Sequence, residues 1–350
     1  MSIFKAPISV IDTLEKIRRK FLWGGVEGKN KIHWVSWDKV TAPKECGGLG
    51  VGSIRALNVG LIVKWWWRLQ TESTALWSQV ITGIHSLSNK PYDYLSKKTI
   101  TGVWKNIAGT IKDIHGAKLT LNDIFKLEVK SGESTMLWQD NWLNNEKLKS
   151  KYPSLYALEL CKTCSVAYRI LNTGNSWEWK SCPLNAGLSI EFNRLNRDIA
   201  SCQIQTGQDK WMCLLTPDGR YTVEALRRRI DLNSHQSIIL PQISWCKIIP
   251  IKVLCFTWRA GQGRIPSATA LQHRGMNIDS THCSSCIGGV ECVDHILIGC
   301  LYASYIREKI FEWCGIKKQI SEMLVTYFNL QPHGVDAPRN VLNYYVYATD

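Results

Sequence analysis

The stretch HCSSCIGGVECVDHILIGC, residues 282–300, decides how this chain is read. It spaces Cys283, Cys286, His295 and Cys300 as C-x2-C-x8-H-x4-C. Three thiolates and one imidazole are the ligand set of a closed, tetrahedral structural zinc site, with no position left for water or substrate. Such a site folds a module and carries out no chemistry. Cys283 and Cys286 can grip one ion from a tight turn. Gly288 and Gly289 let the backbone reverse behind it, and His295 and Cys300 close the tetrahedron from the following strand or helix. Buried free cysteines are the plainer reading, but they would not require the x2 and x4 spacings with a histidine between them. Cys292 and His282 are the alternative ligands in the same stretch.

A disulfide framework is the weaker rival. The chain has 350 residues and 13 cysteines, an odd number, several of them scattered singly. It opens MSIFKAPISVIDTLEKIRRKF, with neither an apolar signal core nor a small-residue cleavage site. The expectation is an intracellular protein of the nucleus or cytoplasm, not a secreted one, in which clustered cysteines hold metal. No run approaches the roughly 20 apolar residues of a membrane span, and GLIVKWWWRL is broken by Lys64 and Arg68.

Length suggests about two or three domains, and 45% hydrophobic residues with 16 tryptophans suffice for packed cores. The net charge of +14 and pI near 9.2 point to a polyanionic partner, nucleic acid above all. The excess is densest in residues 1–80, with 12 Lys and Arg against 6 Asp and Glu.

Outward from the zinc stretch, periodicity places the elements. Val10, Leu14, Ile17 and Phe21 recur at helical spacing, with Lys16, Arg18, Arg19 and Lys20 around the other side and Gly24-Gly25 as the stop. This basic helix is either a nucleic-acid contact or an ordinary solvated face. APKECGGLGVGS fits neither the P-loop nor the dinucleotide fingerprint, so it reads as a turn leading to Ser53 as the cap of the next helix. In that helix, from about Ile54 to Gln70, Ile54, Leu61, Ile62, Trp65 and Leu69 share one face, Trp66 lies at its edge and Trp67 points nearly opposite. Trp67 is then either covered by another domain or a stacking platform for unpaired bases beside Lys64 and Arg68.

In the middle third, Met136 and Trp138 alternate as in a strand. DKWMCLLTPDGRYTVEALRRRI reads as a strand, a Pro217-Asp218-Gly219 turn, a second strand at Arg220 to Val223, and a helix from Glu224. Cys161 and Cys164 form a C-x2-C with no partner pair, and Cys182 stands alone. Toward the carboxyl end, residues 252–260 form an apolar helix behind Pro250, and Pro266-Ser267 caps another that Gly275 stops. Leu301, Tyr305 and Phe311 then mark an amphipathic helix after the zinc stretch.

The run WCKIIPIKVLCFTWRA, the GRIP turn, the HRG stop and C-x2-C followed by Glu291-x3-His295-x4-Cys300 resemble the zinc-binding region of plant LINE-type (non-LTR retrotransposon) reverse transcriptases. IRRKFLWGG, KIHWVSWDKVTAPKECGGLGVGSIRALNVGLIVKWWWRL, SGESTMLWQDNWL and DGRYTVEALR resemble the same polyproteins in the same order. By that resemblance Cys283, Cys286, His295 and Cys300 are the zinc ligands, and Glu291 is a carboxylate of the motif that does not bind the metal. It implies an α+β, mainly helical fold. Residues 1–80 would be a thumb- or connector-like basic helical segment, 81–240 a mixed connector, 241–315 the zinc-binding module and 316–350 a tail. The family's palm holds its catalytic metals with a Y/F-x-D-D motif, whereas this sequence has no two adjacent aspartates. Its opening resembles the region beyond the palm, and no carboxylate-rich ribonuclease H segment follows.

The expectation is therefore a post-polymerase portion, non-catalytic on its own, with one structural zinc. It would bind RNA or single-stranded DNA through Lys16, Arg18, Arg19, Lys20, Lys64, Trp67 and Arg68, and could associate with other reverse transcriptase domains. The alternative is a structural remnant whose tryptophans, freed from an absent palm, form a protein-interaction surface without nucleic-acid binding.

Overall fold

The computed structural model describes residues 3–24, 31–84, 102–144, 146–171, 177–180, 185–202, 204–236, 240, 243, 245 and 249–315. The expected stop at Gly25, the lone Cys182 and the tail at 316–350 lie outside the described residues. The fold is α+β and mainly helical. From the amino end come α1 (Ile8–Leu22), α2 (Trp37–Thr41), α3 (Ile54–Thr71), α4 (Leu76–Ile84) and α5 (Gly102–Gly116). The strands β1 (Phe125–Glu128), β2 (Asn141–Leu143) and β3 (Glu146–Lys147) follow, then α6 (Leu148–Lys151), α7 (Pro153–Leu158), α8 (Val166–Leu171) and α9 (Ala186–Ala200). Last are β4 (Lys210–Cys213), α10 (Val223–Ser234), α11 (Ile251–Gly261), α12 (Ala268–Gln272) and α13 (Leu301–Cys314). The chain divides into two compact units, Met1–Ile11 with Ile54–Asn233, and Asp12–Ser53 with Ser234–Asp350.

The first unit is organised by α3, which is apolar almost all round and is covered on three sides. Trp66 is fully buried, lies 6.0 Å from Trp104 of α5 and donates its indole N–H to the Ile107 carbonyl at 3.1 Å. Trp65 meets Trp77 of α4 edge-on at 5.5 Å. Trp67 stacks on Phe125 of β1 at 5.7 Å and on Tyr221 at 6.3 Å. The centre of the buried face is therefore Trp66 rather than Trp65. Periodicity assumed a single covered stripe, but three neighbours let all three indoles pack.

β1 pairs antiparallel with β4, Phe125 opposite Cys213 and Glu128 opposite Lys210. The expected hairpin across Pro217-Asp218-Gly219 does not form. Residues 220–222 carry no strand, because Tyr221 leaves the sheet and its hydroxyl donates to the Gly60 carbonyl at 2.6 Å in the core. Helix α10 starts directly afterwards, at Val223. Met136 makes only an isolated bridge to Ser165, while Trp138 is fully buried in a second core with Leu137, Trp142 and Leu195.

That second core is tied by two polar features. Asp209 accepts from the amides of Lys130 (2.7 Å) and Gly132 (2.8 Å) and from the hydroxyls of Ser134 and Thr135. Burial works to raise its pKa, but the Gly132 and Lys130 amides and the two hydroxyls outweigh burial and hold the carboxyl below its ordinary range. Beside Cys161 and Cys164, Arg169 pairs with Glu159 at 3.2 Å, both fully enclosed, and its guanidinium lies 4.2 Å from the Trp177 ring centre. Cys164 packs against that arginine, so the C-x2-C pair frames a buried ion pair.

In the second unit, Trp258 of α11 is buried with Val35 and Val40 and donates to the Gly47 carbonyl at 2.7 Å. Gly47 sits at φ +76°, and a Cβ there would stand 2.6 Å from that of Leu240. In the rest of the glycine-rich loop the amides of Gly48, Gly50 and Gly52 donate to the carbonyls of Pro43, Ala42 and Thr41 at 3.0, 2.9 and 3.2 Å, while the Val51 and Gly52 carbonyls accept from Arg18 at 3.2 and 3.0 Å. A phosphate cradle needs amides free to face the ligand, whereas these three are spent on the turns of the loop itself.

Candidate functional site

The zinc stretch folds as a short reversal leading into the start of a helix. His282 bridges Val290, the Cys283 amide donates to the Gly289 carbonyl at 2.8 Å, and the Glu291 amide donates to Thr281 at 2.7 Å. Residues His295–Gly299 then make one wide turn, closed by the Cys300 amide on the His295 carbonyl at 2.7 Å. Cys300 is the residue immediately before α13.

This path brings the four expected ligands together. Their donor atoms all lie within 4.8 Å of one another, with 4.0 Å between the sulfurs of Cys283 and Cys300 and 3.2 Å from Cys286 Sγ to His295 Nε2. A tetrahedron with metal–sulfur bonds of about 2.3 Å has edges of about 3.8 Å, so the cluster is the size of one ion's coordination shell. Two of the thiols are drawn toward the anionic form and the third is not. The Ser285 amide, then His295 and the Cys286 amide, lower Cys283 below the usual thiol range. The Ala303 and Tyr302 amides of the α13 amino end do the same for Cys300. Cys286 is pushed up, by burial first and then by the other two thiols. Three sulfurs so close repel as thiolates unless a cation sits among them.

The remaining residues of the stretch build the frame. Glu291 accepts from the Ala268 amide at 3.0 Å, and its carbonyl accepts from the Thr269 amide and hydroxyl, which fastens the start of α12 to the cluster. Its carboxylate thus caps a helix. Neither alternative ligand joins the cluster. Cys292 Sγ accepts from the His295 amide at 3.4 Å and His282 is a bridge residue. Cys283, Cys286, His295 and Cys300 are the only such group among the described residues.

Residues 222–306 match the family model for zinc-binding in reverse transcriptase. That segment of the chain is thereby similar to the zinc-binding region of reverse transcriptases. It is also 26% identical over 311 residues to an Arabidopsis thaliana protein named "Putative ribonuclease H protein", covering 86% of this chain and 47% of that one. An uncharacterized mitochondrial protein of the same plant is 26% identical over 147 residues, 42% of this chain and 91% of its own length. The chain spans about half the length of the first of these relatives. No solved structure matches it. No helix among the described residues is long and apolar enough to cross a membrane.

The expected nucleic-acid contacts fall in two places. Lys16, Arg18, Arg19 and Lys20 belong to the second unit, and Lys64, Trp67 and Arg68 to the first. Lys16, Lys20 and Lys64 are exposed. Arg18 pairs with Glu15 at 2.8 Å, and Arg18 and Arg19 stand 5.6 and 5.7 Å from the Trp37 ring centre. Ile8, Val10, Ile17 and Phe21 of the same helix face outward, with Phe21 86% exposed. Arg68 forks onto Glu72 at 2.8 Å and lies over Trp65 and Trp77. Trp67 is half-buried and packs against the hydrophobic core of the first unit.

Periodicity did not reveal Lys39, Arg264 and Arg274, which gather around Trp34 with Arg19. Their only sequence signal was the overall positive charge, which names no position.

Proposed function

We propose that this chain is the zinc-bearing, nucleic-acid-binding part of a LINE-type reverse transcriptase, holding one structural zinc ion through Cys283, Cys286, His295 and Cys300. The observation that carries it is the convergence of three sulfurs and one imidazole nitrogen inside the matched segment. Zinc suits this donor set because its filled d shell imposes no other geometry and thiolates outnumber nitrogen. The ion closes the loop at 282–300 and so anchors the start of α12 and of α13. Binding in such modules contributes on the order of 10 kcal/mol to folding, more than the small core of Ala260, Ile265, Val293 and Ile298 supplies.

The net charge of +14 supports nucleic acid as the partner, with RNA or single-stranded DNA as the class and the basic residues of α1 and Lys64 among the contacts. The sequence contains no adjacent aspartate pair to hold two catalytic metals, so the chain is proposed to bind without polymerising. The test is elemental analysis of purified protein, with one zinc per chain expected. Cys283→Ser and His295→Ala should release it and lower the melting temperature, while Cys292→Ser and His282→Ala keep it. Zinc retained by a Cys283→Ser/Cys286→Ser double variant overturns the assignment.

A second reading, docking of other reverse transcriptase domains, is favoured by the outward apolar residues of α1, Ile8, Ile17 and Phe21.

A further inference from the structure

Within the second unit, three adjoining hollows that share Arg274 form one open groove. The first, of about 520 Å³, is lined by Arg19, Lys39, Arg264 and Arg274 with Asp38 as its single carboxylate. The second, of about 640 Å³, shares Trp34, Arg264 and Arg274 with the first and reaches Cys292, Val293 and Asp294, beside the metal ligand candidate His295. The third, of about 510 Å³, shares His33 and Arg274 and ends at Lys31.

Two of the cations in this groove, Arg274 and Arg19, are held in place before any ligand arrives. Arg274 lies 4.7 Å from the Trp34 ring centre and donates to the carbonyls of His33 (2.9 Å) and Trp34 (3.1 Å). Those bonds fix one edge of its guanidinium on the backbone. Arg19 is set against Trp37, and its Nε is sealed from solvent with no hydrogen-bond partner among the described residues. Lys39 and Arg264 carry no ion pair among the described residues. A carboxylate partner would neutralise these charges, and beside so many cations an anion is the complementary ligand.

We infer that this groove binds the phosphodiester backbone of a nucleic-acid strand, with Arg19, Lys39, Arg264 and Arg274 on successive phosphates. The inference deepens the nucleic-acid reading above and rests on it. A strand fits better than a single nucleotide because the hollows run on from one another, each sharing residues with the next. The indoles here serve to hold guanidinium groups. The groove therefore reads phosphates rather than bases, and binding through it is independent of sequence. Its far wall ends at Asp294, the residue before His295.

The experiment is titration of the zinc-loaded full chain with a labelled single strand of about 12 nucleotides at about 50 and 200 mM salt. Lys39→Ala/Arg264→Ala, folded as judged by an unchanged melting curve, should bind roughly 10- to 100-fold more weakly at the lower salt. Its log–log salt slope should be shallower by about 1.4, about 0.7 for each phosphate that is no longer neutralised. Lys39→Arg/Arg264→Lys should keep most of the affinity. Unaltered affinity and slope in the alanine variant overturn the groove while leaving the nucleic-acid reading intact. No binding by the unaltered chain overturns that reading, and the groove with it. Equal affinity for a dinucleotide marks a nucleotide site, and equal affinity for polyglutamate marks a site for acidic protein. Either result overturns the strand assignment.

Discussion

Gly289 lies directly against the imidazole of His295. A Cβ on Gly289 would overlap the ring at Cε1 and Nε2, the nitrogen that faces Cys286 Sγ. The neighbouring Gly288 has the opposite character, with φ +92° and open space around it. One glycine is needed for room and the other for backbone conformation. Gly289→Ala should therefore displace His295 and weaken zinc roughly tenfold or more, as misorienting a ligand does. Gly288→Ala should keep the metal but cost about 1–2 kcal/mol of stability. Competition with a chromophoric chelator separates the two, and unchanged affinity in Gly289→Ala would contradict the close packing.

Trp67 stacks on Phe125 and Tyr221, so truncation should act on stability. Trp67→Ala should destabilise by about 2–4 kcal/mol, somewhat below a fully buried tryptophan because the ring is half-buried. Tyr221→Phe, which leaves the Gly60 carbonyl without its 2.6 Å donor, should cost about 1–3 kcal/mol. Denaturant midpoints check both. A loss of strand affinity by folded Trp67→Ala protein would instead restore its role as a stacking platform.

Asp209 links acid sensitivity to the second core of the first unit. Its folded pKa is lowered, so its contribution is complete above the ordinary aspartate value of about 3.9 and is lost as pH falls through the lower folded value. Unfolding midpoints measured from neutral pH downward should begin to drop below about pH 5. Asp209→Asn should remove that part of the drop and cost about 1–2 kcal/mol at pH 7, modest because the group is half-buried. A pH profile identical in the variant and the unaltered chain would show that Asp209 does not contribute.

The enclosed Arg169–Glu159 pair should punish single substitution and tolerate double substitution. Arg169→Met leaves Glu159 as an uncompensated buried charge and should cost about 3–5 kcal/mol. Arg169→Met/Glu159→Leu should recover most of it, as replacing both buried charges by apolar groups commonly does. A double-mutant cycle gives the coupling, and additive losses would argue against the pair.

Legible from the order of residues alone was whatever depends on near neighbours along the chain. The meeting of Cys283, Cys286, His295 and Cys300 could be read because the segment closes within one turn and the start of one helix, and the spacing restricts which side chains can meet. Basic α1 and the end of α3 near Gln70 followed from period and punctuation. What the Glu291 carboxylate holds was not legible in the sequence, because the Ala268 amide that donates to it lies 23 residues earlier. Tertiary structure decided which tryptophan of α3 is central, since that depends on α5, α4 and Tyr221, the last 161 residues from the Gly60 it binds. It also decided that Asp209 would serve residues more than 70 positions back and that Arg274 would be seated on Trp34, 240 residues away. Periodicity reports which residues share a face. Only the packed chain settles what lies against that face, because contacts between distant segments are selected by the whole core and leave no repeat in the local sequence.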